Sequence, residues 1–400
     1  MARPTTGPAH QVRPGGHAPA VAEWASSRLR YLDNLKVLLI AAIIAGHGVM
    51  GYAAESWWLY SDVREETLSP VTEALLLIVA MPFALFMIPL LFLVAGLLTP
   101  GSLERKGTRA YVRDRLLRLG VPFAAFVLLW PLLEYLLFRP LGAPTGDYWD
   151  RLLDSEEPLQ TGVLWFVGTL LLFSLAYATW CRIRQGRSSG TWPAQVTIGG
   201  LLLLAGAVTV TTFIVRLDIP FDSDKYVALD LYQWPECIAL FGLGIAAARM
   251  GWLTAVPDRL RRQCRIATLL TAAGFGLFTA YGATSGDLGE ETWGGGWHWE
   301  AFAFAALVAA LTVFGPVWLL AVAQRHLNRR LQWVGPAVSR SAYGAFLLQS
   351  LVLVAIAVAL RPVPVAAEVK ALVVATGGIA GSFALAWLLI SRIPVVRRVL

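Results

Sequence analysis

The chain has 400 residues, of which 57% are hydrophobic and only 15% charged, with a mean hydropathy of +0.61. A soluble globular domain carries nearer ~25% charge, so the composition excludes that class and predicts an all-α polytopic membrane protein, a bundle of about ten transmembrane helices. The formal net charge of +7 invites a nucleic-acid partner, which the placement of the basic residues removes below, and the three cysteines (Cys181, Cys237, Cys264) supply neither a disulfide framework nor zinc-ligand spacing.

Residues 1–27 are rich in Pro, Gly, Ala and His without apolar period and read as a disordered cytoplasmic tail. They hold no apolar core followed by a cleavage site, so a signal peptide is not expected. The stretch from Tyr31 to His47 comes next and organises the rest. It opens Tyr31-Leu32-Asp33-Asn34-Leu35-Lys36, and then runs uncharged from Val37 to Gly46. Lys36 and His47 are eleven residues apart, which is about three helical turns, so they point to nearly the same side. Asp33 lies within about 60° of that side. Ionisable groups are costly in lipid, so this face is expected against protein or a water-filled cavity. His47 also has a plainer reading as a packed, hydrogen-bonded core residue, and Lys36 and Asp33 as interfacial anchors.

Ten apolar segments follow, near 35–54, 74–98, 119–138, 161–181, 194–215, 231–249, 265–284, 299–323, 341–360 and 367–391. Each approaches the ~20 residues that span a bilayer. The connections alternate in charge. One set, which includes both chain ends, holds 25 of the 33 basic residues and the other holds 7, Lys36 being the remaining one. The positive-inside rule then places both termini in the cytoplasm of a plasma-membrane protein. The positive charge is thus a topology signal, and no nucleic-acid partner is expected. The opposite connections are acidic and carry Trp57, Trp58, Trp149, Trp293, Trp297 and Trp299. An aromatic belt with solvated loops explains them. A sugar-binding mouth is the functional alternative.

Between the second and third segments the chain reads Arg113-Asp114-Arg115-Leu116-Leu117-Arg118, entering Leu119-Gly120-Val121-Pro122-Phe123. Arg115 and Arg118 are three apart and share a helical side, where two guanidinium forks can hold phosphates. Plain positive-inside charge or anionic lipid is the other reading. Glu134 and Glu236 are further charges at membrane depth and hence candidates, unless they pair with a cation or sit at an interface.

The segment Tyr31–Lys36, with a basic residue, ten residues and then His47, resembles the first-helix signature of acyltransferase family 3, integral membrane enzymes that O-acylate carbohydrates and other extracytoplasmic acceptors. The likeness continues in order. It includes Pro89–Gly96, Arg115-x-x-Arg118 with Leu119–Phe123, Leu164-Trp165-Phe166-Val167, Phe241–Arg249 and Ser341–Leu348. It covers residues 28 to about 395, the expected transmembrane acyltransferase domain. One departure falls at residue 349, where Gln stands in place of the family's usual His; Gln can hydrogen-bond but cannot take a proton at neutral pH. A second falls after the Gly- and Trp-rich segment Trp293–Glu300, where the helix diverges, which bears on the acceptor. The extra extracytoplasmic domain of some relatives has no counterpart expected in 400 residues.

The resemblance implies an acyl-CoA co-substrate, acetyl-CoA or another short-chain donor, with no permanently bound cofactor and no metal. It implies that Arg113, Arg115 and Arg118 hold the donor's phosphates, that His47 is the catalytic base toward a carbohydrate or similar hydroxyl, that Lys36 contacts the donor, and that Asp33 sets Lys36 or caps the helix. A transporter or flippase is the competing expectation, for which Met81-Pro82 and Ile88-Pro89 would supply broken helices. A catalytically silent relative is the third.

Overall fold

In the computed structural model the described residues are 30–54, 58, 60, 63–138, 161–184, 195–223, 225–226, 229–285, 290–329, 331–332 and 334–399. The tail 1–27, the acidic stretch 147–157, Trp57, Trp149 and the side chain of Glu134 lie outside them. Among the described residues the chain is helical, without strands. The helices are α1 (Arg30–Met50), α2 (Pro70–Leu75), α3 (Met81–Ala84), α4 (Met87–Lys106), α5 (Thr108–Arg115), α6 (Val121–Phe138), α7 (Trp165–Ile183), α8 (Ile198–Arg216), α9 (Trp234–Arg249), α10 (Asp258–Ser285), α11 (Glu290–Trp293), α12 (Trp299–His326), α13 (Pro336–Leu360), α14 (Ala367–Arg392) and α15 (Pro394–Val399).

Nine stretches among the described residues are long and apolar enough to cross a membrane. The sixth apolar segment is shorter. It folds as a 3-10 turn, Leu231–Gln233, followed by the 16-residue α9. The second crossing, 70–106, is interrupted. A π turn covers Leu76–Ala80, and Phe86 (φ −106°, ψ 3°) breaks the helix before α4. This is the broken helix the two prolines predict; Pro82 and Pro89 each stand in the first turn of a helix, α3 and α4, where a missing N–H is not needed.

The core is built where α1, α13 and α14 pack side by side and where α4 and α9 cross, with α12 running between the two groups. The α4–α9 crossing is backbone against backbone. A Cβ on Gly96 would lie 2.2 Å from the carbonyl oxygen of Phe241, and one on Gly244 would lie 2.3 Å from that of Leu93. Small residues at such crossings let membrane helices gain van der Waals contact that larger side chains prevent. Gly48 plays the same part for α1, because its Cβ would meet the backbone of Ala375 on α14 at 2.9 Å.

Side-chain hydrogen bonds gather the helix ends. At the end where α1 begins, Asn34 Nδ2 donates to the carbonyls of Leu327 (2.7 Å) and Arg329 (2.9 Å), and Tyr31 Oη donates to Leu253 O at 2.7 Å. These carbonyls follow helix C-termini, where backbone acceptors have no helical partner. At the other end, Lys370 of α14 is buried and bonded to Glu65 of the 51–69 loop. Tyr60 Oη donates to the second Glu65 oxygen at 2.7 Å. Burial alone would raise the Glu65 carboxyl, but hydrogen bonds from Lys370 and Tyr60 outweigh it and hold the group below the usual carboxylate range. Burial and the Glu65 charge push the Tyr52 phenol up to about 12, so it stays neutral. The loop is thereby tied to α14 and, through Tyr60 Oη at 3.4 Å from Ala357 O, to α13, the two helices that flank α1.

Candidate functional site

His47 lies in the last turn of α1, about 16 Å along the axis from Lys36. Three elements position its ring. Nδ1 is 2.9 Å from Gln349 Oε1 on α13. The imidazole lies flat on Trp58 of the following loop, with ring centroids 4.4 Å apart and planes 4° from parallel. Gly51 makes this return possible, since a Cβ there would be 3.2 Å from Trp58 Cδ1. Gln349 is fully buried, and its Nε2 donates to Phe346 O at 3.0 Å.

The other expected residues are placed as follows. Asp33 and Lys36 face one another across one turn at 4.0 Å, both partly exposed, at the opposite end of α1 from His47. Arg115 is half-buried with its guanidinium over the Tyr111 ring, 4.9 Å from the centroid, and it makes no ion pair among the described residues. Its Nε is buried and has no hydrogen-bond acceptor there. Arg118 is more exposed and is held by Asp114 at 3.3 Å, and Asp114 also binds Lys106 at 2.8 Å. Arg113 is exposed and lines a shallow groove of about 790 Å³ with Lys106, Thr108, Arg109 and Asp114, the carboxylate that also holds Arg118. Within the expected arginine trio, Arg115 is thus the half-buried member, and Arg113 and Arg118 are exposed.

A link between the two ends comes from α13. Tyr343 Oη donates to Arg118 O at 2.6 Å, and six residues on, Gln349 meets His47. Six residues rise about 9 Å. One helix thus touches both the arginine segment and the imidazole. Glu236, the other described candidate, is not part of this group. It is buried 3.5 Å from Arg216, whose guanidinium lies over Phe221 and Phe304, at the junction of α8, α9 and α12. The described tryptophans also separate. Trp58 covers His47, Trp293 packs on Phe221 and Phe304, and Trp297 and Trp299 are exposed. They form no single mouth.

Three features of this site are not expected from sequence. Trp58 as the partner of the imidazole and Asn34 as the clasp of the 327–329 turn have no local signal. Gln349 has one, as a departure from the family pattern, but its contact with His47 spans 302 positions.

A family model described as an acyltransferase domain matches residues 29–391. No curated protein and no solved structure matches the chain. The matched region runs from the start of α1 nearly to the end of α14 and includes His47, Arg115, Arg118 and Gln349. With nine membrane-length helices among the described residues and a family match over nearly its whole length, the chain belongs to acyltransferase family 3, a multi-pass membrane transferase of acyl groups.

Proposed function

We propose that the protein transfers a short acyl group, acetyl by preference, from acyl-CoA to a hydroxyl of a carbohydrate or similar acceptor, with His47 as general base. The observation that carries this reading is the held imidazole. His47 is oriented by Gln349 and Trp58 at one end of α1, and α13 connects it to the arginine segment nearer the other. A positioned general base contributes about 10²–10⁴-fold to such a reaction. The donor enters from the arginine side, which the charge asymmetry assigns to the cytoplasm of a plasma-membrane protein with both termini inside. Arg115 is the better phosphate ligand of the pair, because Arg118 already has Asp114 while the buried Arg115 Nε still needs an acceptor. Lys36, with Asp33 beside it, contacts the donor lower on α1. The acceptor approaches from the opposite face.

Acetyl-CoA labelled in the acetyl group, incubated with purified protein and a panel of sugars, tests this directly. We expect transfer by the wild type. We expect at least 10²-fold slower transfer by His47→Ala at equal folded concentration and equal acetyl-CoA affinity. Turnover by His47→Ala at the wild-type rate would leave the imidazole as a packing residue.

A further inference from the structure

The contacts of Gln349 determine which nitrogen of His47 carries the proton. A backbone carbonyl only accepts, and Gln349 Nε2 donates to Phe346 O at 3.0 Å. The amide cannot be turned over, since a flip would set its oxygen against the Phe346 oxygen, two acceptors at hydrogen-bond distance. Oε1 is therefore the atom 2.9 Å from His47 Nδ1. An amide oxygen also only accepts, so Nδ1 bears the hydrogen and the ring's lone pair lies on Nε2. Burial holds the arrangement: Gln349 and Ser350 are at 0% exposure, as is Ala345 one turn before. The stack on Trp58 fixes the plane of the ring that the hydrogen bond orients.

Resting on the acyl-transfer reading above, we propose that Gln349 is a positioning residue: it holds His47 in the Nδ1–H tautomer, so that Nε2 is the atom that takes the acceptor's proton. In the step, the acceptor O–H gives its proton to Nε2 and its oxygen bonds to the thioester carbonyl carbon. The C–S bond breaks with its electron pair on sulfur, and the thiolate receives the proton from Nε2. Nδ1–H stays on Gln349 throughout. The imidazolium formed in passing meets an amide dipole instead of a carboxylate, so the proton is released to sulfur and not retained by an ion pair. Gln349 is thus an acceptor that cannot change its protonation and so cannot exchange roles with His47.

The test combines a spectroscopic signature with kinetics. Protein labelled with ¹⁵N-histidine and compared with His47→Ala isolates the His47 resonances. For the neutral ring we expect a protonated Nδ1 and an unprotonated Nε2. Gln349→Met, of similar length without the acceptor, is expected to mix the tautomers. It should lower kcat about 10²-fold, less than the roughly 10⁴-fold known for a triad histidine forced into the wrong tautomer, with KM for acetyl-CoA unchanged. Gln349→Glu restores the acceptor and should restore the Nδ1–H signature. An Nε2–H wild-type ring, or Gln349→Met with wild-type kcat, overturns the proposal. A wild type that transfers no acyl group sinks the acyl-transfer reading itself, and with it the role; an active wild type with an Nε2–H ring sinks the positioning role alone.

Discussion

Replacing Lys370 with methionine removes the cation that ties the 51–69 loop to α14. Lys370 is 2% exposed and Glu65 19%. Methionine fills nearly the same volume, so the cavity term is small and the cost is electrostatic. Glu65 is left with Tyr60 as its side-chain donor, at 2.7 Å. Removing one partner of a fully buried pair costs about 3–5 kcal/mol. Water can reach part of the Glu65 carboxylate, which lowers the expectation to about 2–3 kcal/mol. Thermal unfolding in a mild detergent, followed by near-ultraviolet circular dichroism, measures it. The double variant Lys370→Met with Glu65→Gln removes the stranded charge as well, and should recover at least half of the loss. Transfer activity should fall in the single variant, because the same loop lays Trp58 on His47. A Lys370→Met protein as stable as the wild type would refute the argument, as would a double variant no more stable than the single one.

Acidification acts on the same tie. Glu65 titrates lower in the folded protein than in the unfolded chain, so its contribution is full above the ordinary carboxylate value and is lost as pH falls through the folded one. Melting temperature should drop at the acid end, and less so in Glu65→Gln. Arg115→Ala with Arg118→Ala should weaken acetyl-CoA binding with little loss of stability, since Arg118 is exposed and Arg115 makes no ion pair among the described residues; calorimetric titration giving the wild-type affinity would reduce the two to topology determinants. Gly244→Ala puts a methyl 2.3 Å from Leu93 O, where only backbone can yield. Destabilisation of about 1–3 kcal/mol is expected, and an unchanged melting temperature would show that α4 and α9 separate freely.

Ten spans were expected and nine stretches among the described residues are long and apolar enough to cross a membrane; the all-helical membrane class, the alternation of basic and acidic connections, and the first-helix pair Lys36 and His47 were legible in the sequence. Each depends on neighbouring residues and on the contrast between lipid and water, which a linear pattern records. The broken second crossing was legible for the same reason, because proline acts on its own turn. What the sequence left open were the partners of the buried polar groups. His47 meets Gln349 across 302 positions, and Glu65 meets Lys370 across 305. In water, the hydrophobic period of a helix tells which face is buried. Here Leu203 at 78% exposure and Leu277 at 73% are as apolar as the fully buried Leu90 and Leu93. Lipid and protein interior accept the same side chains, so the period no longer distinguishes them. The facing of α1 toward α14, and of α4 toward α9, was decided by close packing at Gly48, Gly96 and Gly244. Only the packed structure brings Gln349 of α13 to the imidazole and half-buries Arg115 while leaving Arg113 exposed.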